Sequence, residues 1–427
     1  MMPPETVQAL ATRAGRTPFY VYDIAAVKAR VAAVREALPA GVRVHYALKA
    51  NPFPPLVQAI AGEVDGFDVA SGGELALALE TAPAGGFGLG FAGPGKSLED
   101  IRAGVKADVL FQCESRRELR EIAAAGVRAG VRPRVALRVN PAFELRGAGQ
   151  RMGGGPRPFG IDSEQVPEVL REMVALPVEF AGFHFYAGSQ MLEATTVVAL
   201  LEHCYDCALE LSRHAPGPVR ELNLGGGFGV PYFAGERPLD LAPVSDCLHR
   251  LKARAAVDFP EAALVLELGR YLVAEAGRYV MRVVDRKLSR GKVFVVCDGG
   301  MHHHLAAAGH LGQVLRRNFP IELVKAIAPV GAEAPVGAEA PVGAEAPVGA
   351  SLLATIGSKL PPTTLATESV TLCGPLCTPL DVLGDRLEMP VAEEGDFIVV
   401  GMSGAYGATA SPRGFLSHPG PVELLLD

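Results

Sequence analysis

The chain has 427 residues, of which 49% are hydrophobic and 20% are charged. At roughly 100–200 residues per domain, this length predicts two or three domains, and the composition excludes disorder over most of the chain. The 40 basic and 47 acidic residues leave a net charge of −7. Because no Lys/Arg-rich block is present to contact phosphates, binding to nucleic acid is not expected. A compact enzyme or binding protein is expected instead.

Seven cysteines, an odd number, are scattered between Cys113 and Cys377. In a chain of this size they predict no disulfide framework and indicate a reducing compartment, so a cytoplasmic location is expected. The N-terminus lacks a basic segment followed by an apolar one, and no uncharged run reaches the roughly 18 residues of a membrane helix. We expect neither export nor insertion into a membrane.

Eight short apolar runs alternate with helical patterns such as 25–38, 72–80 and 117–127, which is typical of strand–helix units on a parallel sheet. Eight strands within about 230 residues match a TIM-type (β/α)8 barrel, here predicted for residues 25–272. The predicted strands span 42–48, 66–70, 87–93, 107–112, 134–140, 180–187, 220–225 and 263–269.

After the predicted barrel, the sequence pattern changes to strand-like segments separated by turns. This pattern predicts a C-terminal all-β domain over residues 273–427. Residues 1–24 contain a further candidate strand at 17–23 that we expect to join this domain. The predicted strands of the β domain itself span 279–288, 292–300, 368–374 and 396–401.

The hexapeptide APVGAE repeats between about residues 328 and 350, with prolines at positions 329, 335, 341 and 347. These prolines remove hydrogen-bond donors, and the glycines weaken any strand or helix. Each unit is also too short and too poor in large apolar residues to bury a core. We predict a flexible surface insertion and not a solenoid.

Polar residues and glycines stand at the ends of the predicted barrel strands, where barrel enzymes carry their chemistry. Any one of them is usually only solvated, but several at one rim favour an active site. They are Lys49, Asp68, Arg138, Asn140, His184, Gly225–Gly227, Glu267 and Arg270.

The residue types at this rim suit an aldehyde cofactor that carries a phosphate. Burial disfavours the ammonium form of Lys49, so a lowered pKa would let its amine form a Schiff base. Gly225–Gly227 would offer main-chain N–H groups to a phosphate. Glu267 could hold a proton on a pyridine nitrogen while His184 stacks on the ring, which together would make an electron sink.

The motifs that contain these residues resemble the fold-type III pyridoxal phosphate enzymes, an alanine racemase-like fold, and within them the diaminopimelate, ornithine and arginine decarboxylases. The resemblance covers nearly the whole chain outside the APVGAE repeat. The motifs are YALKAN (46–51), DVASGGEL (68–75), HFYAGSQ (184–190), GGGFG (225–229), ELGR (267–270), GPLCTPLD (374–381) and SGAYG (403–407).

Two further segments, MGGGPRPFG (152–160) and DGGMHHHLAAAG (298–309), are similar to a narrower branch. This branch comprises decarboxylases associated with the exosortase A system. It is also similar to the decarboxylase of butirosin biosynthesis, which acts on a glutamyl group carried by an acyl carrier protein.

The resemblance implies a pyridoxal 5'-phosphate-dependent decarboxylase that removes the α-carboxylate of an amino acid or of a carrier-linked aminoacyl group. It implies that Lys49 binds the cofactor, and that Cys377 acts as a proton donor across the interface of a homodimer with shared sites. The other implied cofactor-binding residues are Asp68, His184, Ser189, Gly225, Gly226, Gly227, Glu267, Leu268, Gly269, Arg270 and Tyr406, and the implied substrate-binding residues are Arg270, Thr378 and Tyr406.

Three alternative functions remain open on the residues. Diaminopimelate is disfavoured as the substrate because Thr378 stands where diaminopimelate decarboxylases carry a glutamate that would hold the distal ammonium. A racemase is disfavoured by Glu267, because racemases of this fold resemble each other in an arginine there. A non-catalytic cofactor-binding homologue is disfavoured by the retained Lys49 and Cys377.

Two motifs that invite a metal interpretation are interpreted otherwise. His302, His303 and His304 are consecutive, and alternate residues of a strand point to opposite faces, so the three cannot converge on one ion without a turn. Cys204 and Cys207 lie in a helical pattern with no second pair at zinc spacing. No metal site is predicted.

Overall fold

The structure is a computed structural model that describes residues 2–143, 150–151, 153–313, 315–327 and 366–426. It contains a parallel sheet and a second, mostly antiparallel sheet. The elements up to the end of the parallel sheet are α1 (Pro4–Ala14), β1 (Phe19–Asp23), α2 (Ile24–Ala37), β2 (Arg43–Ala47), α3 (Pro54–Ala61), β3 (Gly66–Val69), α4 (Gly72–Thr81), β4 (Gly88–Phe91), α5 (Leu98–Lys106), β5 (Leu110–Cys113), α6 (Arg116–Ala129), β6 (Arg134–Asn140), β7 (Gln150–Arg151), β8 (Ile161–Asp162), α7 (Val166–Val174), β9 (Glu179–Phe185), β10 (Gly188–Ser189), α8 (Ala194–Ser212), β11 (Glu221–Gly226), α9 (Leu241–Asp258), β12 (Ala263–Leu268) and α10 (Arg270–Val273).

The parallel sheet closes into the predicted eight-stranded barrel. Its strands follow the order β2, β3, β4, β5, β6, β9, β11 and β12, and β12 pairs again with β2. All eight predicted strands are present, with ends that differ from the prediction by at most three residues. Since every strand runs in the same direction, the carboxyl ends of all eight meet at one rim.

Side-chain caps set where several barrel helices begin. The carboxylate of Asp23 accepts the Ala26 N–H at the start of α2, and Ser115 caps α6 in the same way through Glu118 N–H. Ser97 and Asp100 form a reciprocal capping box on α5. Such a cap contributes about 1 kcal/mol to helix stability, and each one starts a helix within a few residues of the end of the preceding strand.

The second sheet contains all four strands that were predicted for the β domain, together with β1 from the N-terminus. Its central path runs β15, β18, β13, β14, β16, β17, and β1 pairs with β13 and β19. The strands after the barrel are β13 (Gly277–Ser289), β14 (Lys292–Cys297), β15 (Ile321–Val324), β16 (Thr367–Cys373), β17 (Val382–Pro390), β18 (Phe397–Val400) and β19 (Val422–Leu426).

Four elements in or against the second sheet were not predicted from the sequence: α1, β15, β17 and β19. Val7 and Leu10 of α1 pack against Phe19 and Val280 in a small apolar cluster on this sheet. The interpretation of the APVGAE repeat as a surface insertion concerns residues that lie outside the described ranges.

Contacts between the two sheets bring the segment 403–407 beside the end of β2. Tyr406 N donates to Ala50 O at 2.8 Å, and Asn51 Nδ2 donates to Gly404 O at 2.9 Å. The β domain thereby covers part of the barrel rim. Within the described ranges, no helix is both long and apolar enough to cross a membrane.

Candidate active site

A cavity of about 320 Å³ opens at the carboxyl ends of the barrel strands. Five of the polar residues singled out in the sequence line it, namely Lys49, Arg138, Ser189, Arg270 and Tyr406. The β domain also contributes Ala306, Leu311 and Gly312 to its wall. The strand-end residues therefore meet at one site, as the barrel geometry requires.

Lys49 lies in a single helical turn, Leu48–Ala50, that follows β2. Its Nζ lies 3.4 Å from Glu267 Oε1 and 4.6 Å from the ring centre of Tyr186. Burial alone would lower the pKa of this amine, but the negative charge of Glu267, together with Tyr186 and Tyr406, outweighs burial and raises the pKa. The expectation of a lowered pKa is therefore wrong for this structure, because a carboxylate stands against the amine.

Glu267 is buried at the end of β12 and holds two partners. Besides Lys49, its Oε2 lies 3.1 Å from His184 Nε2. Burial opposes ionisation of Glu267, but the charge of Lys49 and the contact with His184 outweigh burial and hold the pKa of the carboxyl below its usual range. The other ring nitrogen of His184, Nδ1, is buried and has no hydrogen-bond partner among the described residues. An ionised carboxylate thus stands at the base of the site.

Arg270 follows β12 and lies between two aromatic rings. Its Nη1 donates to Tyr232 Oη at 3.3 Å, and its guanidinium carbon lies 4.7 Å from the ring centre of Tyr406. Its Nε is buried and, in the described part of the chain, has no hydrogen-bond partner. Buried donors are normally paired, so this guanidinium is suited to an anionic ligand.

The glycine run is required by close packing of the backbone. A Cβ at Gly225, Gly226 or Gly227 would collide with the carbonyl oxygens of Phe185, Glu267 and Gly188, respectively. Gly225 and Gly227 also have left-handed backbones, with φ of 71° and 75°, which glycine adopts at little cost. None of the three lines the cavity with its own atoms, but Gly226 pairs with Glu267 across the sheet.

The ELGR segment continues from β12 under the turn that carries Lys49. Leu268 is buried in the main hydrophobic core. A Cβ at Gly269 would lie 2.9 Å from Ala50 Cβ. The missing side chain therefore allows the Lys49 turn to approach the end of β12.

Asp68 does not line the cavity. Its buried carboxylate accepts a hydrogen bond from Gln112 Nε2 at 2.9 Å and lies 3.3 Å from His45 Nδ1. The carboxylate raises the pKa of His45, although burial of the imidazole acts in the opposite direction. The contacts of Asp68 in this structure are therefore inside the barrel.

Cys377 and Thr378 are also apart from the cavity of their own chain. They lie in the loop between β16 and β17, where Cys377 is exposed. Buried Asp381 holds this loop by accepting Leu376 N–H at 2.8 Å and Met301 N–H at 2.6 Å. The loop is well anchored, but it presents its cysteine to the surface.

The three consecutive histidines lie inside the β domain. His303 Nδ1 lies 3.1 Å from Tyr279 Oη, and His304 Nε2 lies 3.0 Å from Ser403 Oγ. Neither nitrogen of buried His302 has a hydrogen-bond partner among the described residues. In the part of the chain that the structure describes, no three His, Cys, Asp or Glu side chains are placed to hold a metal ion.

Sequence reasoning missed two residues that line the site and one that supports its wall from behind. Tyr186 stands two positions after His184, so strand alternation would have placed it at the same rim. Phe159 lines the cavity from within the MGGGPRPFG motif. Glu114 directly follows β5 and could have been selected as a polar strand-end residue like the others.

The residues present fit pyridoxal 5'-phosphate. Lys49 offers an amine inside the cavity for the aldehyde, and ionised Glu267 is suited to a protonated ring nitrogen. Arg270 has an unpaired buried donor for an anion. The donor set thus agrees with the cofactor that the sequence predicts.

Comparisons with known proteins extend this finding. Residues 24–274 match the family described as pyridoxal-dependent decarboxylase, pyridoxal binding domain. The L-glutamyl-[BtrI acyl-carrier protein] decarboxylase of Niallia circulans is 33% identical over 420 residues, covering 97% of this chain and 90% of the relative. The diaminopimelate decarboxylase of Deinococcus radiodurans is 30% identical over 420 residues, covering 98% and 92%.

A solved structure gives the same fold. A point mutant of the diaminopimelate decarboxylase of Helicobacter pylori, complexed with L-lysine, superposes with a TM-score of 0.79 at 24% identity, covering 98% of this chain and 94% of that one. The family match and the sequence relatives confirm the predicted cofactor and reaction class. The chain, with Lys49, Glu267 and His184 gathered at the rim of its barrel, therefore belongs to the family of pyridoxal-dependent decarboxylases.

Proposed function

We propose that this protein removes the α-carboxylate of an aminoacyl substrate whose distal end carries no positive charge. The observation that carries the proposal is the placement of Lys49 against ionised Glu267 in a cavity that also presents two guanidinium groups. The Niallia circulans relative is named for a glutamyl group on an acyl carrier protein. A glutamyl group has no distal ammonium, which agrees with the cationic side chains that line this cavity.

Different residues of this chain would bind the cofactor and hold or transfer protons in the active site. Pyridoxal 5'-phosphate supplies an aldehyde that combines with amines and a ring that draws electrons from the bond to the departing carboxylate. Lys49 would hold the cofactor through Nζ and could carry a proton at that atom. Ionised Glu267 would hold a proton on the ring nitrogen, and His184 would orient that carboxylate through its contact with Oε2. Arg270, Ser189 and Tyr406, which line the cavity, would bind the phosphate region.

The charge of the cavity argues against a second ammonium on the substrate. Among the described residues that line it, Lys49, Arg138 and Arg270 are cationic and none is a carboxylate. Glu267 lies behind Lys49 and is already paired with it. A distal ammonium would lose its hydration without gaining a counter-ion. Thr378 supplies no charge either, so diaminopimelate is not the proposed substrate.

The active unit that we propose is a homodimer in which Cys377 and Thr378 enter the partner's cavity. Cys377 is exposed and does not reach its own cavity. Leu380 of the same loop is 53% exposed, and Leu315, which precedes Arg316, a residue whose guanidinium donates to Val382 O at the end of this loop, is 80% exposed. His310 Nε2, beside cavity-lining Leu311, contacts Leu380 O at 3.0 Å, so the loop lies near the cavity mouth. A partner subunit would cover these side chains and bring a thiol to the α-carbon as a proton donor.

Borohydride trapping tests the assignment of Lys49. Protein supplied with pyridoxal 5'-phosphate and then reduced should carry the cofactor on Lys49, and Lys49→Ala should carry none. Lys106→Ala, which removes an exposed lysine at the end of α5, serves as the matched control and should label normally. An adduct on another residue would show that the whole site is wrongly assigned.

Carbon dioxide release from free and carrier-linked amino acids tests the reaction. Loss of the α-carboxylate from a carrier-linked or dicarboxylic substrate is expected, with little turnover of diaminopimelate. Exchange of the α-proton without release of carbon dioxide would point to a racemase. Bound cofactor without either reaction across the panel would favour a non-catalytic protein.

Subunit mixing tests the shared site. Lys49→Ala and Cys377→Ala proteins, each inactive, are unfolded together and refolded, with hybrid formation checked by an affinity tag. Random pairing makes half of the dimers hybrids with one intact site of two, so about a quarter of wild-type activity should return. If Cys377 acted within its own chain, every site of the hybrid would lack one group, and no activity would return.

A further inference from the structure

Four charged side chains form a buried network behind one wall of the cavity. They are Lys96, Glu114, Glu118 and Arg138, whose side chains are 1%, 1%, 2% and 8% exposed, respectively. Two cations and two carboxylates balance the charge of the network. Burying ions in this way costs several kcal/mol per ion unless their contacts are good, so the geometry of each contact matters.

Glu114 connects three separate parts of the cavity wall. Its Oε1 accepts Gly93 N–H at 2.6 Å and Arg138 Nη1–H at 2.7 Å. Its Oε2 accepts Gly160 N–H at 3.0 Å. Gly93 and Arg138 line the cavity, and so does Phe159, the neighbour of Gly160. One carboxylate therefore holds the loop after β4, the strand β6 and the loop after β6 together.

Glu118 and Lys96 in turn hold the backbone that carries Glu114. Glu118 Oε2 accepts Glu114 N–H at 2.9 Å, and its Oε1 accepts a hydrogen bond from Lys96 Nζ at 2.7 Å. Lys96 also donates to the carbonyl oxygens of Gly93 and Gln112 at 3.0 and 3.1 Å. Neither Lys96 nor Glu118 lines the cavity, and within the described ranges neither is hydrogen-bonded to Arg138 or Gly160. Glu114 is thus fixed from behind.

Within the described part of the chain, Arg138 is held from one side. Glu114 is the hydrogen-bond partner that the described residues supply to its guanidinium, and Phe159 faces it with a ring centre 5.2 Å away. Its other N–H groups are therefore available to a ligand in the cavity. Arg138 lines the same cavity as Lys49, and its positive charge acts to lower the pKa of both Lys49 and Glu267.

We propose that Glu114 is a positioning residue of the active site. By holding Arg138 from behind and the Gly93 and Gly160 backbones on either side, Glu114 sets the direction in which the guanidinium enters the cavity. Arg138 then attracts the anionic cofactor bound at Lys49. Glu114 itself touches no ligand. This inference rests on the proposed function, because it requires pyridoxal 5'-phosphate to bind at Lys49.

A double-mutant cycle tests whether Glu114 acts through Arg138. Affinity for pyridoxal 5'-phosphate is measured on the cofactor-free full chain by the visible absorbance of the bound cofactor, for Glu114→Gln, Arg138→Met and the double variant. Each single variant should bind about tenfold more weakly, and the double variant should bind as weakly as Arg138→Met alone. The pH dependence of the absorbance should likewise change on Glu114→Gln only where Arg138 is present.

Asp396→Asn is the matched control. Asp396 is a buried carboxylate of the β domain that accepts Ala326 N–H and Glu393 N–H and pairs with Lys325. Its loss should lower thermal stability but leave cofactor affinity unchanged. If Glu114→Gln does not fold, Glu114→Asp keeps the charge while shortening the reach, and the same dependence on Arg138 is expected.

Two results would overturn the inference. Equal loss of affinity from Glu114→Gln with and without Arg138 would mean that Glu114 supports the fold and not the guanidinium. Unchanged affinity in Glu114→Gln would mean that Arg138 needs no such support. Failure of the wild-type protein to bind the cofactor at Lys49 would refute the proposed function instead, so the two failures are distinct.

Discussion

Replacing Glu267 by glutamine should lower the pKa of Lys49 in the cofactor-free protein. The substitution keeps the size of the side chain but removes the charge that stands 3.4 Å from Lys49 Nζ. In the wild-type protein burial acts to lower the pKa of the amine, and that charge, together with Tyr186 and Tyr406, outweighs burial and raises the pKa. In Glu267→Gln, burial and the positive charge of Arg138 still act to lower the pKa, and the smaller contributions of Tyr186 and Tyr406 oppose them.

The expected pKa shift follows from the distance between Lys49 Nζ and Glu267 Oε1 and from the exposed fraction of the Lys49 side chain. Two unit charges at 3.4 Å interact by about 5 kcal/mol at an effective dielectric constant near 20. Because 38% of the Lys49 side chain is exposed, solvent screening should reduce this to roughly half. At about 1.4 kcal/mol per pKa unit, the pKa of Lys49 should fall by about two units.

Competitive acylation measures this pKa directly. The extent of labelling at Lys49 is followed by mass spectrometry across a pH series, with exposed Lys106 as the internal reference. Glu74→Gln is a matched control, since Glu74 is near the site but its carboxylate bonds to Ala70 N–H and should shift Lys49 far less. If Glu267→Gln left the labelling curve of Lys49 in place, or moved it no more than Glu74→Gln did, the ion pair would not govern this amine.

The remaining predictions concern stability and cofactor binding. Burial lowers the pKa of His302 to about 4. Between about pH 6.5 and 4 the unfolded chain therefore binds a proton that the folded chain does not, and the free energy of unfolding falls as the pH falls, by about 1.4 kcal/mol per pH unit. In urea titrations across this range, His302→Leu should lack this part of the pH dependence. Lys96→Met should lower the free energy of unfolding by about 3–5 kcal/mol, measured by urea denaturation, because it leaves Glu118 buried without its cation. A decrease of less than about 1 kcal/mol would contradict this account of the network. Gly404→Ala should weaken cofactor binding in absorbance titrations, because the added Cβ collides with Val273 O and displaces the 403–407 segment; unchanged affinity would show that the segment tolerates the methyl group.

Much of the barrel was predictable from the sequence, because strands of a parallel sheet are buried on both faces and appear as continuous apolar runs. The same apolar runs place Lys49, His184 and Glu267 at or near strand ends. Closure of the sheet then brings these three residues together at one rim. The short strands β15 and β19 do not form part of a comparable pattern of apolar runs and helices, and the sequence analysis did not predict them. β19 pairs with β1 from the opposite end of the chain, and such distant pairing leaves little trace in local sequence.

By itself, the sequence determined the strand order of the barrel, the strand-end residues and, through its motifs, the family. Only the tertiary structure decided what those side chains contact. It paired Lys49 with Glu267 and so raised a pKa that burial alone would lower, placed Asp68 beside His45 and Gln112, and left Cys377 exposed outside its own cavity. The physical reason is that hydrogen bonds and charge interactions depend on distances of a few ångströms between residues far apart in the chain, which local patterns of polarity do not encode.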